Sequence, residues 1–109
     1  MPSRTYLGEL EELILLLVAL YDKEAYGVLL TEELQKQAGR VISISAVHAV
    51  LHRLEEKGFV KSHMGGASAE RGGRRKRLFC VTALGRKAVE ELRDIRNQIW
   101  SMLVKTAPS

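Results

Sequence analysis

A glycine-bounded loop between two strand-like segments is the feature that most limits how this chain can fold. Residues 59–64 read as a strand whose two faces alternate along the chain, Phe59, Lys61 and His63 on one and Val60, Ser62 and Met64 on the other. Residues 76–82, with the sequence KRLFCVT, resume a strand-like pattern after the loop GGASAERGG. Alternation of this kind is typical of β-strands, and clustered glycines are typical of turns. The sequence therefore predicts a β-hairpin with a long tip.

The net positive charge of the chain lies in this hairpin, while the rest of the chain is close to neutral. Between positions 61 and 77, six basic residues stand against one acidic residue, Glu70, while the whole 109-residue chain has a net charge of +4. The basic residues are Lys61, Arg71, Arg74, Arg75, Lys76 and Arg77. Guanidinium groups offer fork-shaped donors that suit phosphate, and each neutralised phosphate releases counterions. We therefore predict that the hairpin binds a polyanion; a solvated charge run is the alternative interpretation.

Apolar periodicity predicts four helices, over residues 7–21, 27–38, 44–57 and 83–104. Ser43 and Thr82 are residue types that cap the N-termini of helices, and they precede the third and fourth segments directly. Gly39 and Gly58 stand where the second and third segments end, as expected for C-terminal glycines. The first helix is apolar almost all round, so it must bury more than one face.

The same periodicity predicts which side chains of the middle helices face the core. The residues expected to face inward in the second helix are Val28, Leu29 and Leu34. Those expected to face outward in it are Glu32, Glu33, Gln35 and Lys36. The buried stripe expected in the third helix is Ile44, Val47, Leu51 and Leu54.

The order of these elements predicts the fold. Helix, helix, helix, strand, basic loop, strand, helix is the order of a winged helix-turn-helix module. The predicted fold class is mainly α with a small β-hairpin (α+β), extended by a C-terminal dimerisation helix. We expect residues 1–82 to form the winged helix-turn-helix DNA-binding domain and residues 83–109 the dimerisation helix, in one compact unit.

The third helix presents small side chains on the side opposite its apolar stripe. Ser45, Ala46 and Ala49 lie there, and their size lets the helix backbone approach the major groove of DNA. In helix-turn-helix proteins, the N-terminal part of the recognition helix contacts base edges. The predicted DNA-reading set is Ser43, Ser45, Ala46, His48, Ala49, His52 and Arg53. An ordinary amphipathic helix with an alanine-rich solvent face is the alternative.

Three runs in a fixed order carry a resemblance to a known family. They are RLEEKGFV over residues 53–60, ERGGRRKRLF over residues 70–79 and VTALG over residues 81–85. With weaker matches in LGELEEL, AYG and SISAV, the chain resembles the PadR family of transcriptional regulators over nearly its whole length. The resemblance implies a homodimeric, usually repressive regulator that binds palindromic operators in double-stranded DNA. It also implies release by a phenolic, drug-like or other small effector, and a C-terminal helix that packs against the partner's first and last helices.

Two features depart from the family pattern. His48 stands where the family usually has tyrosine, so the phosphate contact implied for that position is in doubt. The C-terminal region predicts a single helix, which is short for the family, and no separate effector domain is expected.

Two apolar surfaces predict self-association. The first helix is apolar all round between residues 13 and 20, and the last helix carries a wide apolar stripe. Exposed apolar patches of this kind usually mark interfaces. The predicted homodimer interface comprises Leu13, Leu16, Leu20, Leu92, Ile95, Ile99, Trp100, Met102 and Leu103. Trp100 and Tyr21 are also candidates to line a pocket for an aromatic effector, although aromatic side chains more often fill an interface core.

Other classes of protein have little support in the residues. His48 and His52 are four apart and could share a metal, but no HExxH pattern surrounds them. We expect no metal, no cofactor and no enzymatic activity, and a packed rather than redox-active Cys80. An acidic N-terminus without a cleavage site, and an apolar run confined to residues 13–20, predict a cytoplasmic protein with no membrane partner. The alternative function is a winged-helix protein–protein interaction module whose basic hairpin, called the wing from here on, contacts an acidic partner.

Overall fold

A computed structural model of the chain describes residues 7–65 and 76–105. Within these residues the chain forms α1 (Glu9–Tyr21), a short 3-10 turn (Asp22–Glu24), α2 (Gly27–Ala38), α3 (Ile44–Glu56), β1 (Val60–Met64), β2 (Arg77–Val81) and α4 (Ala83–Lys105). The predicted helices and strands are all present, and the fold class, mainly α with a small β-hairpin, is confirmed. The tip of the hairpin, residues 66–75, lies outside the described residues.

The residues predicted to bound the helices do so. The Ser43 hydroxyl accepts a hydrogen bond from the backbone N–H of Ala46 at 3.2 Å, and the Thr82 hydroxyl accepts one from the N–H of Gly85 at 3.0 Å. Glycines with the left-handed backbone follow α2 and α3: Gly39 (φ +64°) and Gly58 (φ +80°). Side chains other than glycine rarely adopt this conformation, so both positions favour glycine.

The hairpin is anchored at its base to the start of α2. β1 and β2 pair antiparallel, with Val60 opposite Val81 and Met64 opposite Arg77. On the other edge of β2, the N–H of Phe79 donates to the carbonyl oxygen of Ala25 at 2.8 Å. Because Ala25 lies just before α2, this bond fixes the hairpin against the helix-turn-helix.

The hydrophobic core lies between α1, α2, α3 and the hairpin base. Its side chains with no exposed surface include Ile14, Leu15, Val18, Leu30, Leu34, Val47 and Leu54. From the hairpin side, Phe59, Val60 and Phe79 are also buried. This burial supplies the main favourable term in folding, and it sets the orientation of α3 relative to the hairpin.

Two predictions of inward-facing residues were wrong. Val28 and Ile44 are 46% and 44% exposed, whereas Leu30 and Val50 are buried in the same helices. Both exposed residues lie in the first turn of their helix, at the rim of the core. Leu30 and Val50, further along each helix, therefore fill the core positions that the periodicity assigned to Val28 and Ile44.

Glu33 was predicted to face outward and is instead buried. Its carboxylate accepts a hydrogen bond from the Gln37 side chain at 3.2 Å and lies 3.5 Å from the Lys36 ammonium. The bonds from Gln37 and from the Tyr21 hydroxyl lower the pKa of Glu33, and the bond to Glu33 raises the pKa of Tyr21. The charge is tolerated there because neighbouring donors satisfy it.

α4 begins against the core and then leaves it. At Gly85 the helix backbone packs on the carbonyl oxygen of Phe59, where any Cβ atom would collide. Val89 is the last buried residue, and from Arg93 to Lys105 every side chain is exposed except the half-buried Ile95. Over residues 7–65 and 76–105, the helices include none long and apolar enough to cross a membrane.

Candidate nucleic-acid interface

α3 exposes the side that the sequence predicts. The helix packs on the core through Val47, Val50, Leu51 and Leu54. The predicted set on the opposite side is exposed, with Ala46 half-buried: Ser43, Ser45, His48, Ala49, His52 and Arg53. Near the N-terminus of α3 these side chains are small, which permits close approach of another surface to the helix backbone.

His48 has a packing role that the sequence does not reveal. Its imidazole ring lies against Gly27, the first residue of α2, so closely that a Cβ at Gly27 would collide with Nε2. The ring therefore fills the junction between α2 and α3 while the residue remains exposed to solvent. A contact of His48 with DNA would have to be made while the ring packs against Gly27, or would require the ring to leave it.

The two larger polar side chains further along α3 already have partners. The Nε2 atom of His52 lies 3.5 Å from a carboxylate oxygen of Glu56, one turn along the same helix. The Nε–H of Arg53 donates to Glu11 of α1 at a donor–acceptor distance of 3.4 Å. Arg53 is thus drawn toward α1, away from the small side chains at the N-terminal end of α3.

Glu11 joins α1 to the C-terminal half of α3. Its side chain is 9% exposed, and its two carboxylate oxygens accept hydrogen bonds from the Lys57 ammonium at 2.9 and 3.0 Å. Burial raises the pKa of Glu11, but the Gly8 N–H and the Lys57 and Arg53 side chains outweigh it and hold the pKa below its ordinary value. The position of Glu11, three residues after Gly8, is that of a capping-box glutamate, a signal present in the sequence.

The described part of the hairpin presents three of the predicted cations. Lys61 is exposed on β1, and Arg77 is exposed at the start of β2. The ammonium of Lys76 lies 4.0 Å from the centre of the Tyr26 ring, a cation–π contact that ties it to the start of α2. The remaining predicted wing residues, Arg71, Arg74 and Arg75, lie outside the described residues.

Comparison with known proteins identifies the family. The chain matches the model of the transcriptional regulator PadR-like family over residues 15–91. The chain belongs to this family. It is also 31% identical over 87 residues to an uncharacterized protein of Lysinibacillus sphaericus, covering 78% of this chain and 75% of that protein.

Solved structures of PadR-like proteins share the fold. A PadR family regulator from Clostridium difficile superposes with a TM-score of 0.75 and 20% identity, covering 91% of this chain and 98% of that one. A PadR-like transcription factor from Bacteroides fragilis gives a TM-score of 0.73 at 19% identity, covering 90% and 89%. One from Bacillus cereus gives 0.67 at 24% identity, covering 89% and 85%. The winged-helix arrangement is therefore confirmed.

The family match spans the parts of the chain that form the candidate interface. Residues 15–91 include all of α2, α3 and the hairpin, together with most of α1 and the first turns of α4. The chain is accordingly a DNA-binding transcriptional regulator of the PadR-like family.

In this PadR-like regulator, a groove of about 580 Å³ runs between α1 and α4. Its apolar lining residues are Leu16, Ala19, Leu20 and Val89, and its polar ones are Glu12, Arg86, Glu90, Arg93, Arg96 and Asn97. The Arg96 guanidinium donates to the Glu12 carboxylate at 2.6 Å and so links the two helices. The predicted interface residues Leu16 and Leu20 are 45% and 69% exposed along this groove.

The outer part of α4, residues 93–105, carries most of the remaining residues of the predicted dimer surface. Its exposed apolar residues are Ile99, Trp100, Met102, Leu103 and Val104, each more than half exposed. Ile95 is half-buried, while Leu13 and Leu92 pack partly against the hydrophobic core of the chain. Val104 extends the predicted set by one residue.

The structure does not bring Tyr21 and Trp100 into one groove. Tyr21 bonds to Glu33 and packs on the core, whereas Trp100 is 65% exposed on α4. Neither residue is among those that line the groove between α1 and α4 in the described part of the chain. An aromatic effector pocket using both residues is therefore not formed within this groove.

The histidines and Cys80 are the residues that the sequence offers as metal ligands or reactive groups. Among the described residues, no three His, Cys, Asp or Glu side chains are grouped closely enough to hold a metal ion. Cys80 is 8% exposed, on the β2 side of the hairpin, as expected for a packed cysteine. Its position opposite Lys61 in the register makes it part of the hairpin base.

Proposed function

We propose that this PadR-like regulator is a cytoplasmic homodimeric repressor that binds a palindromic operator and is released by a small-molecule effector. The observation that carries the proposal is the exposed, small-residue face of α3 in the same domain as a hairpin whose described residues present cations. A helix of this kind fits the major groove, and a basic wing neutralises flanking phosphates. Affinity is expected to come mainly from the wing and specificity from the helix.

The roles of the residues divide by size and charge. At the N-terminal half of α3, Ser43, Ser45, Ala46 and Ala49 allow close approach, and the two serine hydroxyls can bond to base edges or phosphates. Among the longer side chains of α3, His48, His52 and Arg53 are proposed to add contacts at the edge of this face. The cations proposed to contact phosphate are Lys61, Arg71, Arg74, Arg75, Lys76 and Arg77.

A second copy of the chain is proposed to cover the apolar surface of α1 and α4. Small domains bury a limited share of their apolar surface when alone. The residues proposed to pack across the dimer are Leu13, Leu16, Leu20, Leu92, Ile95, Ile99, Trp100, Met102 and Leu103. Dimerisation places two copies of α3 in a two-fold arrangement, which is why a palindromic operator is expected.

Binding to the DNA upstream of the protein's own gene tests the proposal. Fluorescence anisotropy would compare a duplex carrying a palindrome from that region with a scrambled duplex of equal length. We expect micromolar or tighter binding to the palindrome, weaker binding to the scrambled duplex, and steep loss of both with salt. Binding to neither duplex, with capture of an acidic protein instead, would favour a protein-interaction module.

The effector proposal has its own test. Trp100 is the only tryptophan in the chain and is exposed, so its fluorescence reports on ligands that bind near the outer part of α4. We expect an aromatic effector to quench this emission and to weaken binding to the operator at the same concentrations. Quenching without loss of DNA binding would exclude that compound as the effector.

A further inference from the structure

A chain of hydrogen bonds crosses from the last turn of α3 to both strands of the hairpin. The Ser62 hydroxyl on β1 donates to the Glu55 carboxylate on α3 at 2.9 Å. The same oxygen accepts a hydrogen bond from Nη1 of Arg77 on β2 at 3.0 Å. Ser62 therefore connects an acceptor on the proposed recognition helix with a donor on the proposed wing.

The register of the hairpin explains why these groups meet. Ser62 pairs with Phe79, and Arg77 lies two residues before Phe79 on β2. Residues two apart on a strand share a face, so Ser62 and Arg77 are diagonal neighbours on the same side of the hairpin. Glu55 reaches that side from α3, which packs against β1.

The chemistry of the middle residue matters. A carboxylate only accepts hydrogen bonds and a guanidinium only donates them, whereas a hydroxyl does both. Ser62 is thus suited to join Glu55 and Arg77, and Ser62→Ala, which replaces the hydroxymethyl side chain by a methyl group, would remove both bonds. A threonine at this position would keep the hydroxyl and suits a β-strand.

We propose that Ser62 is a positioning residue that fixes the hairpin relative to α3, so that recognition helix and wing meet DNA in one preformed arrangement. The proposal rests on the function proposed above. Lys76 on the Tyr26 ring holds the hairpin to α2 in the same way. Fixing a binding surface before association lowers the entropy lost on binding.

The test compares Ser62→Ala with Ser62→Thr and Lys61→Ala in operator binding over a range of salt concentrations. In Ser62→Ala, Arg77 keeps its charge, so we expect affinity to fall about threefold to tenfold, the equivalent of one net hydrogen bond, with an unchanged salt slope. Lys61→Ala removes a cation and should reduce the slope by about one. Ser62→Thr should bind like the wild type. Ser62→Thr and Lys61→Ala should keep the wild-type melting temperature, whereas Ser62→Ala should stay folded but melt several degrees lower, because it loses these hydrogen bonds in the DNA-free protein as well.

Other outcomes contradict the proposal in distinct ways. Wild-type affinity in Ser62→Ala would show that the hydroxyl positions nothing. A reduced salt slope in that variant would mean that a phosphate contact was lost, and failure of Ser62→Thr to restore affinity would point to packing rather than the hydroxyl.

The proposal can also fail or stand independently of DNA binding. Amide hydrogen exchange of the DNA-free protein should be faster across β1 and β2 in Ser62→Ala than in the wild type. If the wild type bound no duplex, the proposed function would fail, while this exchange measurement would still decide whether Ser62 fixes the hairpin. Unchanged exchange would overturn the positioning role.

Discussion

At the scale of single residues, Glu11 is the clearest link between α1 and α3. Its nearly buried carboxylate is bonded to Lys57, Arg53 and the Gly8 N–H. We expect Glu11→Gln to lower the free energy of unfolding by about 1–3 kcal/mol, because Lys57 and Arg53 lose the charge of a nearly buried acceptor. Urea denaturation would measure this, with Glu9→Gln as the control, since Glu9 forms an exposed ion pair with Arg40 that should be worth under about 1 kcal/mol.

The pH dependence of the same variant follows from the direction of its pKa shift. The pKa of Glu11 in the folded protein lies below the ordinary value of 4.5. Its contribution to stability is therefore fully present above that value and is lost as the pH falls through the folded pKa. The stability difference between wild type and Glu11→Gln should shrink on acidification below about pH 4.5. A difference that stayed constant down to pH 2 would contradict this account.

Single residues also show what the sequence can and cannot predict. Caps such as Ser43 and Thr82 act on neighbours within three residues, so their roles follow from local sequence. The Glu11–Lys57 bond joins residues that are 46 positions apart, and only the folded chain brings them together. The same holds for His48 and Gly27, whose contact changes a predicted DNA-reading residue into one that also packs between helices.

At the scale of elements, periodicity identifies the helices better than it identifies their buried faces. Three apolar residues follow one another at the start of α2, and with 100° between successive side chains they cannot all face the core. Packing selects Leu30 and leaves Val28 exposed. The lowered pKa of Glu33 likewise depends in part on Tyr21 of α1, which a pattern within α2 does not contain.

The exposed face of α3 gives an element-scale prediction. Ala49 is exposed in the middle of that face, so Ala49→Glu should leave the stability unchanged. It should weaken operator binding by about a hundredfold or more, because a carboxylate would be pressed against the polyanion. Fluorescence anisotropy would measure this against Ala83→Glu, which adds the same charge at the exposed start of α4. Equal losses of operator affinity in the two variants would mean that α3 does not enter the major groove of the DNA.

At the scale of the whole molecule, the outer part of α4 predicts self-association. Ile99 is 61% exposed, so Ile99→Asp should not disturb the protomer but should shift the dimer toward monomer. Analytical ultracentrifugation would compare it with Ser101→Asp, which places the same charge on the polar side of α4. A dimer that resisted Ile99→Asp, or that Ser101→Asp dissociated equally, would place the interface elsewhere.

The fold as a whole could be predicted from the sequence, because each element is next in the chain to one that it contacts. The hairpin pairs adjacent strands, and α2, α3 and the hairpin follow one another in the predicted order. The groove between α1 and α4 could not be predicted from the sequence, because it is lined by residues from Glu12 to Asn97 that only tertiary packing brings together. The apolar character of both helices was visible, but not the Arg96–Glu12 contact that links them.

The salt dependence of operator affinity tests the central claim most directly. The wild type would be compared with the triple variant Arg74→Ala, Arg75→Ala and Arg77→Ala. A control with the same loss of charge would replace three exposed lysines of α2 and α4, Lys36, Lys87 and Lys105, by alanine. We expect the wing variant to bind more weakly and its salt slope to flatten by about three, with the control close to wild type. Salt-independent binding by the wild type, or equal slopes in the two variants, would contradict a wing that binds phosphate.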